Sequence, residues 1–320
     1  MSEPLLTVEN LCVTFASDLG SRAAVSQVSF ALRSGEALGV VGESGSGKSL
    51  TMLSLLQLLP AGASAAATRV RLGERDLLQL SRDQLNHVRG REIAIIFQDP
   101  LTALNPVLNI GRQITEVLRH HFNLDPAPAR LRAVELLTRV GIPDPALRMN
   151  QYPHEFSGGM RQRVTIAMAL AGAPKVLIAD EPTTALDVTV QAQIVSLIAD
   201  LLQQTGMAVI WVTHDLALLA RIADRVLVMF AGRIMESAAC EDLFARPQHP
   251  YTQSLLSNLR EGRAGKAGSD TPTVSSADPA PVGCPFAPRC AWVMDICRAT
   301  VPALTPAAHG GQVACWKVAR

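Results

Sequence analysis

The stretch Gly42-Glu-Ser-Gly-Ser-Gly-Lys-Ser49 constrains the fold of this chain more than any other. It fits G-x-x-x-x-G-K-S and stands between an apolar strand, Ala37–Val41, and an apolar helix expected over Ser49–Leu59 with Pro60 as its stop. Strand, glycine-rich turn and helix in that order let a backbone wrap phosphate groups. The glycines allow successive N–H groups to turn inward, and the helix N-terminus adds partial positive charge. Gly42, Ser44, Gly45, Ser46, Gly47 and Leu50 are therefore the expected nucleotide contacts. Lys48 is expected to reach the β- and γ-phosphates, and the Ser49 hydroxyl to ligate Mg2+.

A second stretch, Lys175-Val-Leu-Ile-Ala-Asp-Glu-Pro182, complements the first. Four apolar residues bury a strand and aim Asp180 at the Mg2+ shell, and Glu181 can polarise an attacking water. Phosphoryl transfer needs positioning and charge neutralisation more than covalent chemistry, so one base beside one metal suffices. An isolated hydrophobic-Asp-Glu would usually be an ordinary strand end; the phosphate loop upstream changes that reading.

The surrounding pattern is that of an α/β protein. Leu5–Phe15 and Val25–Leu32 alternate and read as antiparallel strands, and Val70–Leu72 and Glu92–Phe97 as further strands. From Asp99 to Tyr152 the pattern turns helical, with Ile110–His121 and Ala129–Val140 periodic and Pro126, Pro128, Pro143 and Pro145 as breaks. Beyond it, helix Gly159–Leu170, strand Val176–Ala179, helix Val190–Gln204, strand Ala208–Val212, helix Leu216–Ala223 and strand Arg225–Met229 alternate. Such alternation implies a mostly parallel sheet covered by helices.

At 320 residues the chain can bury a sizeable core, and its net charge of +1 gives no sign of a nucleic-acid surface. The opening Met-Ser-Glu-Pro-Leu-Leu lacks a basic n-region and an apolar core, so no signal peptide is expected. No apolar run approaches the roughly 18 residues of a membrane span. The mean hydropathy of +0.21 is high; a large buried sheet accounts for it, and a docking face for a membrane partner would add to it.

Taken in order, the motifs over residues 5–259 resemble those of ATP-binding cassette (ABC) transporter ATPases. The resemblance implies a P-loop ABC core, with a mostly parallel sheet, antiparallel N-terminal strands and a helical subdomain at about 99–160. It also implies specific roles. Phe15 lies where the family stacks an aromatic ring on adenine, and Gln98 matches the Q-loop residue that touches Mg2+ and water. Ser157-Gly158-Gly159 match the signature, which caps ATP held by a second subunit, and Ala185-Leu186-Asp187 match the D-loop at the dimer interface. His214 matches the switch histidine that contacts the γ-phosphate, so Glu181, His214 and Gln98 form the expected catalytic set. Met160 departs from the Gln commonest there, and Phe156 replaces Leu; the phosphate work falls to the Ser and Gly backbone groups, so activity is expected to survive.

A finer resemblance, to ATPase subunits of bacterial dipeptide, oligopeptide and nickel importers, rests on Phe97–Pro106, His154–Arg163 and Pro247-Gln-His-Pro-Tyr-Thr252 as well as on the phosphate loop. It implies ATP hydrolysis driving peptide import at the cytoplasmic face of the bacterial inner membrane. The implied partners are a second, non-identical ABC ATPase, two transmembrane permeases and an extracytoplasmic solute-binding protein. The alternatives are the same machine importing nickel or another small solute, a non-transport ABC ATPase acting on DNA or ribosomes, and a redox-regulatory module.

Residues 1–260 are thus expected to form the nucleotide-binding domain, 261–283 a Gly/Ala/Ser/Thr/Pro linker, and 284–320 a Cys-rich extension. Cys12 and Cys240 stand alone, whereas Cys284, Cys290, Cys297 and Cys315 follow C-x5-C-x6-C-x17-C. Disulfides are disfavoured in the cytosol, so four clustered thiols there argue for a metal. The spacing is wide for a zinc ribbon and suits a [4Fe-4S] cluster, with Zn2+ or no metal as alternatives.

Overall fold

The computed structural model describes residues 3–17, 20–184, 186–260, 282–308 and 310–318. The expected linker at 261–283 falls almost wholly outside them. The chain forms two compact units. The first comprises Met1–Arg33, Ala37–Leu78 and Trp211–Arg320, and the second Ser34–Glu36 and Gln79–Ile210.

In the first unit, Leu6–Ser17 pairs antiparallel with Gly20–Leu32, in a register that sets Leu6 opposite Leu32 and Val8 opposite Phe30. The register shifts after Val8, and Asn10 and Gln27 both take positive φ (53° each). The long strand also pairs with Ala63–Ala66 and Arg69–Leu72. A second sheet has Ala37–Val41 parallel to Arg225–Phe230, which is antiparallel to Arg233–Ala239. Every residue of Ala37–Val41 is buried, as expected of a strand covered on both faces. The Cys-rich region extends this sheet: Gln312–Val313 pairs with Glu236–Ser237, and Thr305–Pro306 with Gln312–Val313.

The second unit holds the helical block and the parallel pair Ile93–Ile96 and Val176–Asp180. Helices Ile110–Phe122, Pro126–Arg139 and Gly158–Ala171 pack on one another, burying Ile114, Leu137 and Val164. Asn109 caps the first of these with a hydrogen bond from Arg112 N–H (2.8 Å), and Pro126 opens the second at a position where a missing N–H costs nothing. Gly172 ends the third and must be glycine, because a Cβ there would lie 1.7 Å from the Gly90 carbonyl oxygen. The strand Ala208–Thr213 carries the chain from the second unit back to the first.

Most expected elements form within a residue or two. Three boundaries are corrected. The strand expected from Val25 begins at Gly20, paired with the preceding strand as far as Ser17, and the helix expected from Ala129 begins at Pro126, so Pro126 and Pro128, expected as breaks, lie in its first turn, where a missing N–H costs nothing. The helix expected to run to Leu59 ends at Leu55, because Gln57 turns to φ 50° and the amides of Leu56 and Leu58 bond back to Leu53 O. Pro60 therefore stands beyond the true end.

Candidate functional site

The phosphate loop is built by close backbone approach. Gly45 and Gly47 sit at φ 77° and 93°, in the left-handed region open to glycine, and Gly47 caps the helix Lys48–Leu55. Gly42 has no room for a side chain: a Cβ would lie 2.1 Å from Met229 O and 2.7 Å from Ser46 Oγ. The Lys48 side chain, only 4% exposed, folds back over the loop. Its ammonium donates to Gly42 O (2.8 Å), Glu43 O (2.9 Å) and Ser46 Oγ (3.4 Å). This holds a compact cation against the loop while Ser44, Gly45 and Ser49 face solvent. Leu50 and Phe15 are half-buried, Phe15 on its strand opposite Arg22 and Ala63.

Two partners of this loop escaped sequence reasoning. The Glu43 N–H donates to the Tyr251 hydroxyl (3.1 Å), and the Glu43 carboxylate accepts two hydrogen bonds from the Arg289 guanidinium, each 2.8 Å.

In the second unit, the five residues of Val176–Asp180 are all buried, with Asp180 at the strand end. Glu181 follows at φ 47°, a left-handed conformation uncommon for a residue with a side chain. Its Oε2 accepts from Gln98 Nε2 (3.2 Å) and from Thr184 Oγ1 (2.9 Å). The expected base and the expected Q-loop glutamine therefore meet, and Thr184 is an unexpected third member. Its sequence signal was no more than a hydroxyl three residues on, the reach of a local side-chain turn.

Ser157 is the N-cap of the helix Gly158–Ala171, and its Oγ accepts from Met160 N–H (3.3 Å). The Met160 amide is thus engaged whatever the side chain, which explains why the departure at this position leaves the helix start intact. Ser157 and Gly158 are exposed, Phe156 is buried, and a Cβ on Gly159 would lie 2.7 Å from Val190 Cγ1. Asp187 caps the helix Val188–Thr205, accepting from Val190 N–H (2.9 Å); Ala185, before it, is outside the described residues. His214 lies exposed directly after the buried strand Ala208–Thr213, and Asp215 caps the following helix through the amides of Ala217 and Leu218.

The four tail cysteines come together. Cys284, Cys290, Cys297 and Cys315 line one pocket with His249, Phe286, Trp292 and Trp316. All four are free thiols, and the Cys284 amide donates to Cys297 O (2.7 Å). Burial pushes the Cys284 thiol up to about 11, with the neighbouring cysteines adding to it, and burial likewise raises Cys315. Among the described residues, no three of His, Cys, Asp and Glu are grouped closely enough to hold a metal ion, which supports neither the expected [4Fe-4S] cluster nor the Zn2+ alternative. Among them, too, no helix is long and apolar enough to cross a membrane.

A glycine-rich loop around a buried lysine, and a carboxylate held just beyond the Asp180 end of a buried apolar strand, are the parts of a P-loop nucleoside triphosphatase. Residues 25–184 match the profile of the ABC transporter family, and residues 235–297 that of the oligopeptide/dipeptide transporter C-terminal region. The chain is 49% identical to a probable peptide ABC transporter ATP-binding protein, y4tR, of Sinorhizobium fredii, over 98% of this chain and 95% of that protein. It is 46% identical to the dipeptide transport ATP-binding protein DppD of Bacillus subtilis, over 98% of this chain and 95% of the relative. With the Escherichia coli DppD it shares 45% identity, over 97% of this chain and 96% of that one. Among solved structures, the dimeric post-hydrolysis state of the ATP-binding cassette MJ0796 bound to ADP and Pi superposes with a TM-score of 0.65 at 27% identity, covering 73% of this chain and 98% of that one. The chain belongs to the ABC transporter family, has its cassette fold, and is an ATPase of that family.

Proposed function

We propose that this ATPase energises the import of di- and oligopeptides, as one of a pair of non-identical ABC ATPases beneath two permeases fed by a solute-binding protein. The observation that carries the reading is similarity to peptide-import ATPases along nearly the whole chain, including the separate C-terminal match at 235–297. Phe97, Leu101, Val107 and Leu147 are exposed apolar residues of the second unit, a composition suited to receiving a permease helix. The chain would then work as a peripheral subunit on the cytoplasmic face of the inner membrane.

In this reading residues 1–260 form the nucleotide-binding domain and 284–320 its extension. Phe15 stacks on adenine, the loop from Gly42 to Leu50 binds the phosphates, and Lys48 neutralises the β- and γ-phosphate charge. Ser49, Asp180 and Gln98 hold Mg2+, which when bound neutralises the phosphates further. Glu181, steadied by Gln98 and Thr184, orients the attacking water and accepts its proton, and His214 contacts the γ-phosphate. Ser157, Gly158 and Gly159 act on the partner's ATP: an exposed, serine-capped helix start offers partial positive charge to an anion. Asp187 belongs to the same interface.

The tail cysteines are ligands of a [4Fe-4S] cluster. Four cysteines lining one pocket would supply the thiolate ligands that such a cluster takes. When bound, the cluster supplies a covalent staple for a segment too short to bury much core.

One preparation tests both parts. Tagged chain extracted from membranes with detergent is expected to bring down a second ATPase and two polytopic proteins. Prepared without oxygen, it is expected to carry about four iron and four labile sulfide per chain. A chain recovered alone or with nucleic acid contradicts the importer reading, and iron-free protein contradicts the cluster.

A further inference from the structure

Glu43 occupies one of the unspecified positions of the phosphate loop, yet its side chain, its N–H and its carbonyl oxygen are all held. Its carboxylate takes both arms of the Arg289 guanidinium at 2.8 Å, a bidentate charge-assisted pair. The two side chains are only 26% and 16% exposed, so solvent screens the pair less than a surface bridge. Its N–H is taken by the Tyr251 hydroxyl, and its carbonyl oxygen by Lys48.

The two holding residues are themselves fixed. Tyr251 is 1% exposed at the start of the helix Pro250–Arg260, with its ring 4.7 Å from Phe230 and 5.4 Å from Phe286. The buried Glu236 carboxylate anchors that helix start by accepting from the Gln248 and His249 amides at 2.9 and 2.8 Å. The Arg289 guanidinium lies over the Phe230 and Phe286 rings at 5.4 and 5.6 Å, in the short segment between Cys284 and Cys290. Burial raises the Tyr251 phenol well above its ordinary value, so it stays a neutral hydrogen-bonding group.

We propose that Arg289 and Tyr251 are positioning residues for ATP, holding the phosphate loop through Glu43 and cancelling the charge that Glu43 would otherwise turn on the nucleotide. An uncompensated carboxylate within a loop built for phosphates opposes an anionic ligand, whereas the paired one is silent. The proposal rests on the reading that this loop binds ATP, and it adds residues about 200 positions or more away to the binding machinery.

The test is steady-state ATP turnover by the assembled complex carrying full-length variants of this chain. Arg289→Ala is expected to raise the ATP KM about tenfold while kcat stays within about twofold, since binding and not the chemical step is disturbed. Adding Glu43→Gln to Arg289→Ala is expected to restore KM to within about threefold of wild type, because the unpaired charge is gone. Arg289→Lys, a point charge without the fork, is expected to raise KM about threefold, and it carries the test should Arg289→Ala not fold. An unchanged KM in both Arg289 variants, or a double variant as weak as Arg289→Ala alone, overturns the proposal. Lys48→Ala separates the two readings. If it leaves ATP binding unchanged, the loop assignment itself fails; if it abolishes binding while the Arg289 variants behave as wild type, only the positioning role fails.

Discussion

Replacing Glu181 by Gln is expected to lower ATP turnover by at least about 100-fold, the range contributed by a positioned general base, while leaving nucleotide affinity within about threefold. Glutamine keeps the length and planarity of the side chain, so its amide oxygen can still accept from Gln98 Nε2 and Thr184 Oγ1. What it loses is the capacity to take a proton from water. The left-handed backbone at Glu181 is set by the chain leaving the buried strand and is unaltered by the exchange. ATP is therefore bound but not cleaved, and the ATPase pair accumulates in its closed, nucleotide-capped form, read as an ATP-dependent shift to dimer mass in gel filtration. Turnover equal to wild type contradicts the role of Glu181.

A single methyl at Gly42 is expected to disable the other half of the chemistry. The Cβ of Gly42→Ala would stand 2.1 Å from the Met229 carbonyl oxygen and 2.7 Å from Ser46 Oγ, and the first is backbone of a buried strand that cannot swing aside. Relief must come from the loop. Moving it pulls Gly42 O and Glu43 O, two acceptors of the 4% exposed Lys48 ammonium, away from it. Overpacking of this kind costs about 1–3 kcal/mol, and the disturbed lysine adds to it. The expected outcome is a melting temperature lowered by several degrees and loss of measurable binding of a fluorescent ATP analogue. By contrast, Gly45→Ala meets no atom within 4 Å and is strained only by its φ of 77°, so it should fold with a smaller loss. Equal behaviour of the two variants contradicts the close-approach explanation.

These two cases mark where the sequence is legible. The loop at Gly42–Ser49 and the acidic strand end at Asp180-Glu181 are local in sequence, and their geometry follows from residue types a few positions apart. The strand Arg233–Ala239 was not legible. Five consecutive residues are buried, two of them polar, so neither alternation nor an apolar run marks it. The Gln248 and His249 amides, a dozen residues on, offset the cost of burying Glu236 by donating to it. The Arg289–Glu43 pair spans 246 positions, and nothing in either neighbourhood points to the other. Asp187 and Asp215 were readable as a motif residue and a neighbour of His214; that both cap helices needed the backbone. The four cysteines fall between these extremes. Their spacing suggested a shared ligand, and only the fold shows that they line one pocket.

The most direct test of the account is phosphate release by the assembled importer in lipid vesicles, with the solute-binding protein loaded with a di- or tripeptide on one side and ATP on the other. Peptide-loaded binding protein is expected to stimulate ATP hydrolysis several-fold and to drive peptide accumulation, with Glu181→Gln in this chain depressing both. Hydrolysis indifferent to peptide, or peptide accumulation that continues undiminished with Glu181→Gln, would contradict it.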